Sequence, residues 1–318
     1  MWQGFPLRPE QASSIAVSWD HLFYFLTALA VFFSVLIFVS IFYLAIKYRR
    51  RSQDEVPYPT ESHLALELTW TLVPCALCVV MFLWATDLFI RTSRPPAAAT
   101  EIFVIGKQWM WHIQHPEGPR EINELHVPIG QPIKLTMTSE DVIHDFGVPA
   151  FRIKRDVVPG HYTTEWFEAT QTGRFHLFCD QYCGMGHSAM VGWIDVMPAD
   201  AYEHWLTSQM KVESMADAGE RLFGQLGCAS CHVAGQSSRA PDLRGLFGRP
   251  VKLEDGSTAP ADDNYVRGAI LNPRPRTGYP TPMPTFQGQM NEDEVLQLIA
   301  YIKSLGGSAA GPERKGTK

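Results

Sequence analysis

The 318-residue sequence has no surplus of positive charge. Its 27 Lys and Arg stand against 33 Asp and Glu, a formal net charge of -6, which offers nothing to a polyanion such as nucleic acid. It has no internal repeat and only 6 cysteines. The N-terminus, "MWQGFPLRPEQASS", has no basic n-region, and the apolar run after it is far longer than a signal-peptide core. The first span therefore reads as an uncleaved anchor. Histidine is scarce beside the long apolar runs: only His21 and His63 lie near them, both at the edges.

What is present is segregated along the chain. Trp19 to Ile46 is almost wholly apolar, and so is Leu64 to Ile90. At 1.5 Å per residue, each run crosses a hydrocarbon core of about 30 Å. A two-helix transmembrane hairpin is expected over residues 1–94, with helices at about 19–46 and 64–90. The intervening "KYRRR" carries Lys47, Arg49, Arg50 and Arg51. By the positive-inside rule that loop is cytoplasmic, so everything after residue 91 faces outward. Residues 1–94 hold 7 basic and 7 acidic groups, residues 95–212 hold 8 and 14, and residues 213–318 hold 12 and 12. The acidic middle segment would steer a basic partner toward it, although an ordinary solvated surface gives the same counts.

After the Pro- and Ala-rich "RTSRPPAAAT", the runs "EIFVIGKQWMWHI", "IKLTMTS", "YTTEWFEA", "RFHLFC" and "MVGWIDVM" are separated by "PIGQP", "VPG" and "QTG". Turn signals at roughly ten-residue intervals predict a small antiparallel sandwich or barrel over 95–198. The segment 199–215 lacks glycine and reads as a fairly rigid helical linker. An all-α domain is expected over 216–307. Its last helix is marked by the N-cap Asn291, Glu294 at N3, and apolar Val295, Leu298, Ile299 and Ile302. The tail 308–318 has too little apolar content to pack and reads as disordered.

Two motifs carry redox chemistry. "CASCH", Cys228 to His232, has the spacing of covalent c-type haem attachment, with thioether bonds from Cys228 and Cys231 and His232 as an axial ligand. Met283 in "YPTPMPTFQG" is the expected second axial ligand, with Met290 as the fallback. "CDQYCGMGHSAM", residues 179–190, places Cys179, Cys183, His187 and Met190 together, with His144 upstream in "VIHDFGVP". One thiolate, two imidazoles and a thioether make a blue-copper set. The second thiolate points instead to two bridged coppers, with the carbonyl of Gln181 completing the shell. A zinc site satisfies the cysteines and histidines but has no use for Met190, and a disulfide leaves His144, His187 and Met190 unexplained.

With these motifs in place, nearly the whole chain resembles subunit II of haem-copper cytochrome c oxidases, of the bacterial kind with a fused C-terminal cytochrome c domain. The resemblance rests on "ELTWTLVP", "GKQWMWHI", "ELHVPIGQPIKLTMTSEDVIHDFGVPAFRIKRDVVPG", "FCDQYCGMGHSAM" and "GERLFGQLGCASCH" with "APDLRGLFGRPV". It implies a cupredoxin-like sandwich holding dinuclear copper A through His144, Cys179, Gln181, Cys183, His187 and Met190. It also implies haem c on the last domain, Trp109 as the aromatic where electrons enter, and Glu67 at the mouth of a proton path in a neighbouring subunit. Asp156 matches a residue near the family's magnesium, but Gln181 replaces the usual glutamate, which puts that site in doubt. Met110 stands where tyrosine is usual.

The implied function is an electron relay from cytochrome c, or another periplasmic donor, through haem c and copper A to an oxygen-reducing, proton-pumping subunit I, with subunit III and membrane lipid as further partners. The expected location is the bacterial inner membrane, with both redox domains on the outer face. With so few histidines near its spans, the chain does not reduce oxygen alone. Two alternatives are a relay feeding a copper-A nitric oxide reductase and a membrane-anchored copper chaperone. The haem motif argues against the chaperone. Cys75 and Cys78 lie in an apolar helix with no histidine after them and read as packing residues. His112, His115, His161, His176 and His204 lack partners at ligand spacing and read as surface groups.

Overall fold

A computed structural model describes residues 9–56, 62–209, 213–232, 240–252, 258–273 and 283–306. The expected disordered tail lies outside these residues. Two long helices come first, α1 (Ala16–Lys47) and α2 (Leu64–Thr92), with mean hydropathies of 2.7 and 2.1. Both are long and apolar enough to cross a membrane. Their buried residues, Ala16, Asp20 and Leu22 on α1 and Leu88 and Thr92 on α2, cluster at the ends that meet the next domain. The remaining surface is open to lipid or to other membrane helices.

The chain ahead of α1 does not hang free. Ala12 N donates to Ala150 O at 3.0 Å, Ser14 N to Glu168 O at 2.9 Å, and Thr170 N to Ala12 O at 2.9 Å. Arg152, in a left-handed conformation (φ 58°), grips Asp20 through Nε to Oδ1 at 2.9 Å and Nη2 to Oδ2 at 3.0 Å. These contacts put the N-terminal end of α1 on the same side as the β domain.

That domain is a sandwich of two five-stranded sheets. The first follows the order β3-β2-β1-β5-β8, from β1 (Thr100–Lys107), β2 (Met110–Gln114), β3 (Arg120–Ile122), β5 (Pro132–Ser139) and β8 (Thr163–Glu168). The second follows β4-β10-β9-β6-β7, from β4 (Glu124–Pro128), β6 (His144–Val148), β7 (Ile153–Val157), β9 (Gly173–Cys179) and β10 (Val191–Met197). Between them lies a core that includes Trp111, Phe146, Phe151 and Phe167. Each such side chain removed from water contributes about 1.5–3 kcal/mol. The sandwich is not purely antiparallel as expected. β1 pairs with β5, and β4 with β10, in parallel, because these strands meet across the fold rather than through a tight turn.

α3 (Ala199–Gln209) follows β10 directly and covers β4 with Tyr202 and Trp205; the ring of Trp205 stacks on His126 at 4.7 Å. Helices α4 (Met215–Gln225), α5 (Asp263–Leu271) and α6 (Glu292–Ser304), with the short pair β11 (Pro250–Lys252) and β12 (Thr258–Pro260), make the last domain. The Asn291/Glu294 capping box is formed. α4 and α6 cross so closely at Gly219 that a Cβ there would lie 2.0 Å from Gln297 O. Only glycine fits this crossing.

Candidate metal centres

The ends of β6 and β9 and the loop after β9 bring five expected ligands together. His144 begins β6, Cys179 ends β9, and Cys183, His187 and Met190 lie on the loop that returns to β10. The two sulfurs stand 3.8 Å apart. Each has its own imidazole: Cys179 Sγ lies 3.9 Å from His144 Nδ1, and Cys183 Sγ lies 3.6 Å from His187 Nδ1. Met190 Sδ is 3.9 Å from Cys183 Sγ, and Gln181 O is 3.3 Å from Cys179 Sγ. His144 and Met190 are fully buried. Among the described residues, His144, Cys179 and Cys183 form the one cluster of three or more His, Cys, Asp or Glu ligands.

The hydrogen bonds orient these ligands. Asp141 Oδ1 is 2.8 Å from His144 Nε2. A carboxylate accepts, so the proton sits on Nε2 and the Nδ1 lone pair faces the sulfurs. Burial would raise the Cys179 thiol, but contacts from His144 and from the backbone at Asp145 and Gln181 hold it down at about 6. Burial, and then the neighbouring Cys179, push Cys183 up to about 12. Two adjacent sulfurs, two imidazoles and a buried thioether make a soft donor set of the kind copper takes, with one donor more than a tetrahedral zinc site uses.

Trp109 stands between this loop and solvent. It is 37% exposed and donates Nε1–H to Cys183 O at 3.2 Å, beside Gln108 Nε2 at 2.7 Å from the same carbonyl. Gly186 makes room for the indole, since a Cβ there would lie 2.3 Å from Trp109 Cδ2.

The haem motif follows α4. Cys228–Ser230 form a single 3-10 turn, and His232 Nδ1 is 2.9 Å from Pro241 O. A carbonyl only accepts, so Nδ1 carries the proton and Nε2 is left as the metal-facing nitrogen. This fits an axial haem ligand. Cys228, Met283 and Met290 all pack against the core of the helical domain.

Other expected residues lie elsewhere. Glu67 is on the first turn of α2, about 38 Å of helix from the end that meets the β domain. Cys75 and Cys78 are exposed on α2 as free thiols. Gln181 and Asp156 are both exposed; Gln181 reaches the cluster through its backbone oxygen, and Asp156 does not join it. Asp156 sits opposite Asp145 in the β6/β7 register. Burial, with Asp156 and Asp180 nearby, raises Asp145 to about 7.

The reading of His115 as a surface group is overturned. It is fully buried, 2.7 Å from Glu121 Oε1 and 3.3 Å from Tyr202 Oη. Glu121 lies six residues away across the β2/β3 turn, and this partner makes the burial tolerable. His112 and His176 are half-buried rather than exposed.

A β-sandwich that gathers two cysteine sulfurs, two imidazoles and a thioether, preceded by two helices apolar enough to span a membrane and followed by a helical domain with the CxxCH motif, defines the electron-transfer class of protein. Comparison with known proteins specifies it. Residues 119–197 match the family model "Cytochrome C oxidase subunit II, periplasmic domain", residues 2–88 match "Cytochrome C oxidase subunit II, transmembrane domain", and residues 216–306 match "Cytochrome c". The chain is 29% identical to cytochrome c oxidase subunit 2 of Alkalihalophilus pseudofirmus, over 86% of this chain and 82% of that one. It is 30% identical to the alternative cytochrome c oxidase subunit 2 of Bradyrhizobium diazoefficiens, over 56% and 75%. A crystal structure of the periplasmic domain of cytochrome oxidase subunit II (CoxB) of Bradyrhizobium japonicum aligns at 32% identity, covering 37% of this chain and 98% of that one, with a TM-score of 0.36. The chain belongs to the cytochrome c oxidase subunit II family. It is the electron-relay subunit of a terminal oxidase and assembles with other oxidase subunits.

Proposed function

We propose that the chain relays electrons from a cytochrome c through haem c and a dinuclear copper A centre to an oxygen-reducing subunit I. The copper pair would be held by His144, Cys179, Cys183, His187, Met190 and the carbonyl of Gln181. The haem would be held by Cys228, Cys231, His232 and Met283. When bound, these groups supply one-electron chemistry, and the protein's part is to hold them in fixed, water-poor surroundings.

The observation that carries this reading is the pairing of Cys179 and Cys183 at 3.8 Å, each with its own imidazole. Asp141 orients His144, and Met190 brings a buried thioether to 3.9 Å from Cys183 Sγ. Trp109, tied to Cys183 O and reaching the surface, is the residue through which electrons would enter the copper loop. Glu67 is assigned to the proton path only by resemblance. With Gln181 lacking a charge, magnesium has no assigned role. The location proposed is the bacterial inner membrane, with residues 95–198 and 216–307 as the two redox domains on its outer face, joined through 199–215.

Metal analysis and paramagnetic resonance on the purified chain test the assignment. Two coppers and one haem iron, with one unpaired electron shared by both coppers, are expected. Cys179→Ser should abolish the shared signal while leaving the haem spectrum intact. Persistence of that signal in the variant would refute the ligand set.

A further inference from the structure

Strand β1 lies between two cores. Ile102 and Val104, fully buried, face the inside of the sandwich. Phe103 and Ile105, each 3% exposed, belong to a different cluster, together with Tyr162 from the β7/β8 connection and Met215, Phe223, Val266 and Ile299 from the helical domain. One face of the first sheet is thus covered by the cytochrome c domain.

Polar contacts fix the register of this packing. Lys303 of α6 reaches Glu101 of β1 at 2.8 Å and Asp263 of α5 at 2.7 Å. The second oxygen of Glu101 accepts from Lys134 at 2.7 Å and from Thr136 at 2.6 Å. Asn264 embraces the backbone of Tyr162: its Oδ1 accepts from Tyr162 N at 2.7 Å and its Nδ2 donates to Tyr162 O at 3.1 Å. Arg267 donates Nη1–H to Gly160 O at 2.7 Å and pairs with Glu292.

Domains in one chain move relative to each other by default unless the interface is apolar and well packed. Here it has an apolar centre ringed by directional bonds. The ions add little net attraction, because desolvation offsets most of the Coulomb gain, but they are unforgiving of displacement. A slide of a few ångströms would break the Lys303–Glu101 pair and take Asn264 from both backbone groups of Tyr162, while Lys303 would keep Asp263 and Glu101 would keep Lys134 and Thr136.

We propose that the cytochrome c domain is held in one fixed pose against the β1-bearing sheet, with Lys303, Asn264 and Arg267 as positioning residues. Electrons then cross between two parts of one rigid body, and no separate donor lands on that sheet face. The consequence for electron transfer rests on the relay reading; the docking itself does not.

The test is hydrogen exchange at the Tyr162 amide in the full chain, with haem-to-copper electron transfer followed in parallel. Lys303→Glu, which sets a carboxylate against Glu101 and Asp263, should speed Tyr162 exchange at least tenfold and slow the transfer, with haem and copper spectra unchanged. Lys303→Arg should retain the slow exchange. If Lys303→Glu does not fold, Asn264→Ala removes both bonds to Tyr162 and should give the same acceleration. Tyr162 exchange in the unmodified chain as fast as in Asn264→Ala would overturn fixed docking, and unchanged slow exchange in both folded variants would overturn Lys303 and Asn264 as the residues that set the pose. Loss of the copper signal in the unmodified chain would overturn the relay reading and leave the exchange result standing.

Discussion

Trp109 Nε1 lies 3.2 Å from the carbonyl oxygen of Cys183. One indole therefore both reaches the surface and bonds to the backbone of a cysteine in the loop proposed to hold copper. Gln108 holds the same oxygen at 2.7 Å, so the loop does not depend on the tryptophan for its shape.

Replacing Trp109 by Phe keeps an aromatic ring and removes the N–H. Because Gln108 still satisfies Cys183 O, the stability cost should be only about 1 kcal/mol. Reduction of the copper centre should nevertheless slow several-fold. Stopped-flow reduction beside thermal melting separates the two effects, and equal reduction rates would remove Trp109 from the route.

Gly186→Ala should displace the same indole, since the new methyl would fall 2.3 Å from Trp109 Cδ2. A shift of Trp109 fluorescence with retained copper content is expected. An unchanged emission spectrum would mean that the loop yields instead of the ring.

Asp141 fixes the His144 ring and also accepts from Gln108 N at 2.7 Å. Asp141→Ala should therefore lower copper affinity by about 10- to 100-fold, the usual penalty for losing a ligand's outer partner. Titration against a competing chelator measures this.

The Arg152–Asp20 pair is nearly buried, at 14% and 7% side-chain exposure. Arg152→Met would remove this guanidinium from the buried Asp20 carboxylate, which keeps its bond from Gln11. A loss of about 3 kcal/mol is expected. Faster exchange of the Ala12 and Ser14 amides, which bond to Ala150 and Glu168, would localise the damage to the arm before α1.

Acid should undo the domain contact late. Burial would raise Glu101, but Lys303 and Lys134 hold it at about 2, below its ordinary 4.5. A depressed folded value contributes stability that is complete above 4.5 and disappears as pH falls toward 2. Lys303, raised above 10.5 by Glu101 and Asp263 against the opposing effect of burial, adds stability that disappears only at higher pH. Docking should therefore be flat across the neutral range. A Glu101→Gln variant should lose the acid limb between 4.5 and 2 in melts compared with the unmodified chain.

The parts of this architecture that could be read in advance were local in sequence. The two spans are almost wholly apolar runs, and the copper and haem motifs are each compact, with His144 and Met283 distant. What escaped depends on contacts between remote segments. The parallel β1/β5 and β4/β10 pairs have no turn to announce them. His115 looked solitary because it takes the fold of the β2/β3 turn to bring Glu121 to it, and its other partner, Tyr202, is 87 residues away. One signal was present and passed over: "EIFVIG" has no polar alternation, the pattern of a strand covered on both faces.

That strand has a practical side. Ile102 and Phe103 are neighbours that serve different domains, so β1 is a party wall with an occupied room on each side. Cutting the chain after the sandwich would leave Phe103, Ile105 and Tyr162 as a greasy outer wall facing water. A copper domain expressed without its haem neighbour would then be prone to stick to itself, whereas one expressed with it keeps that wall indoors.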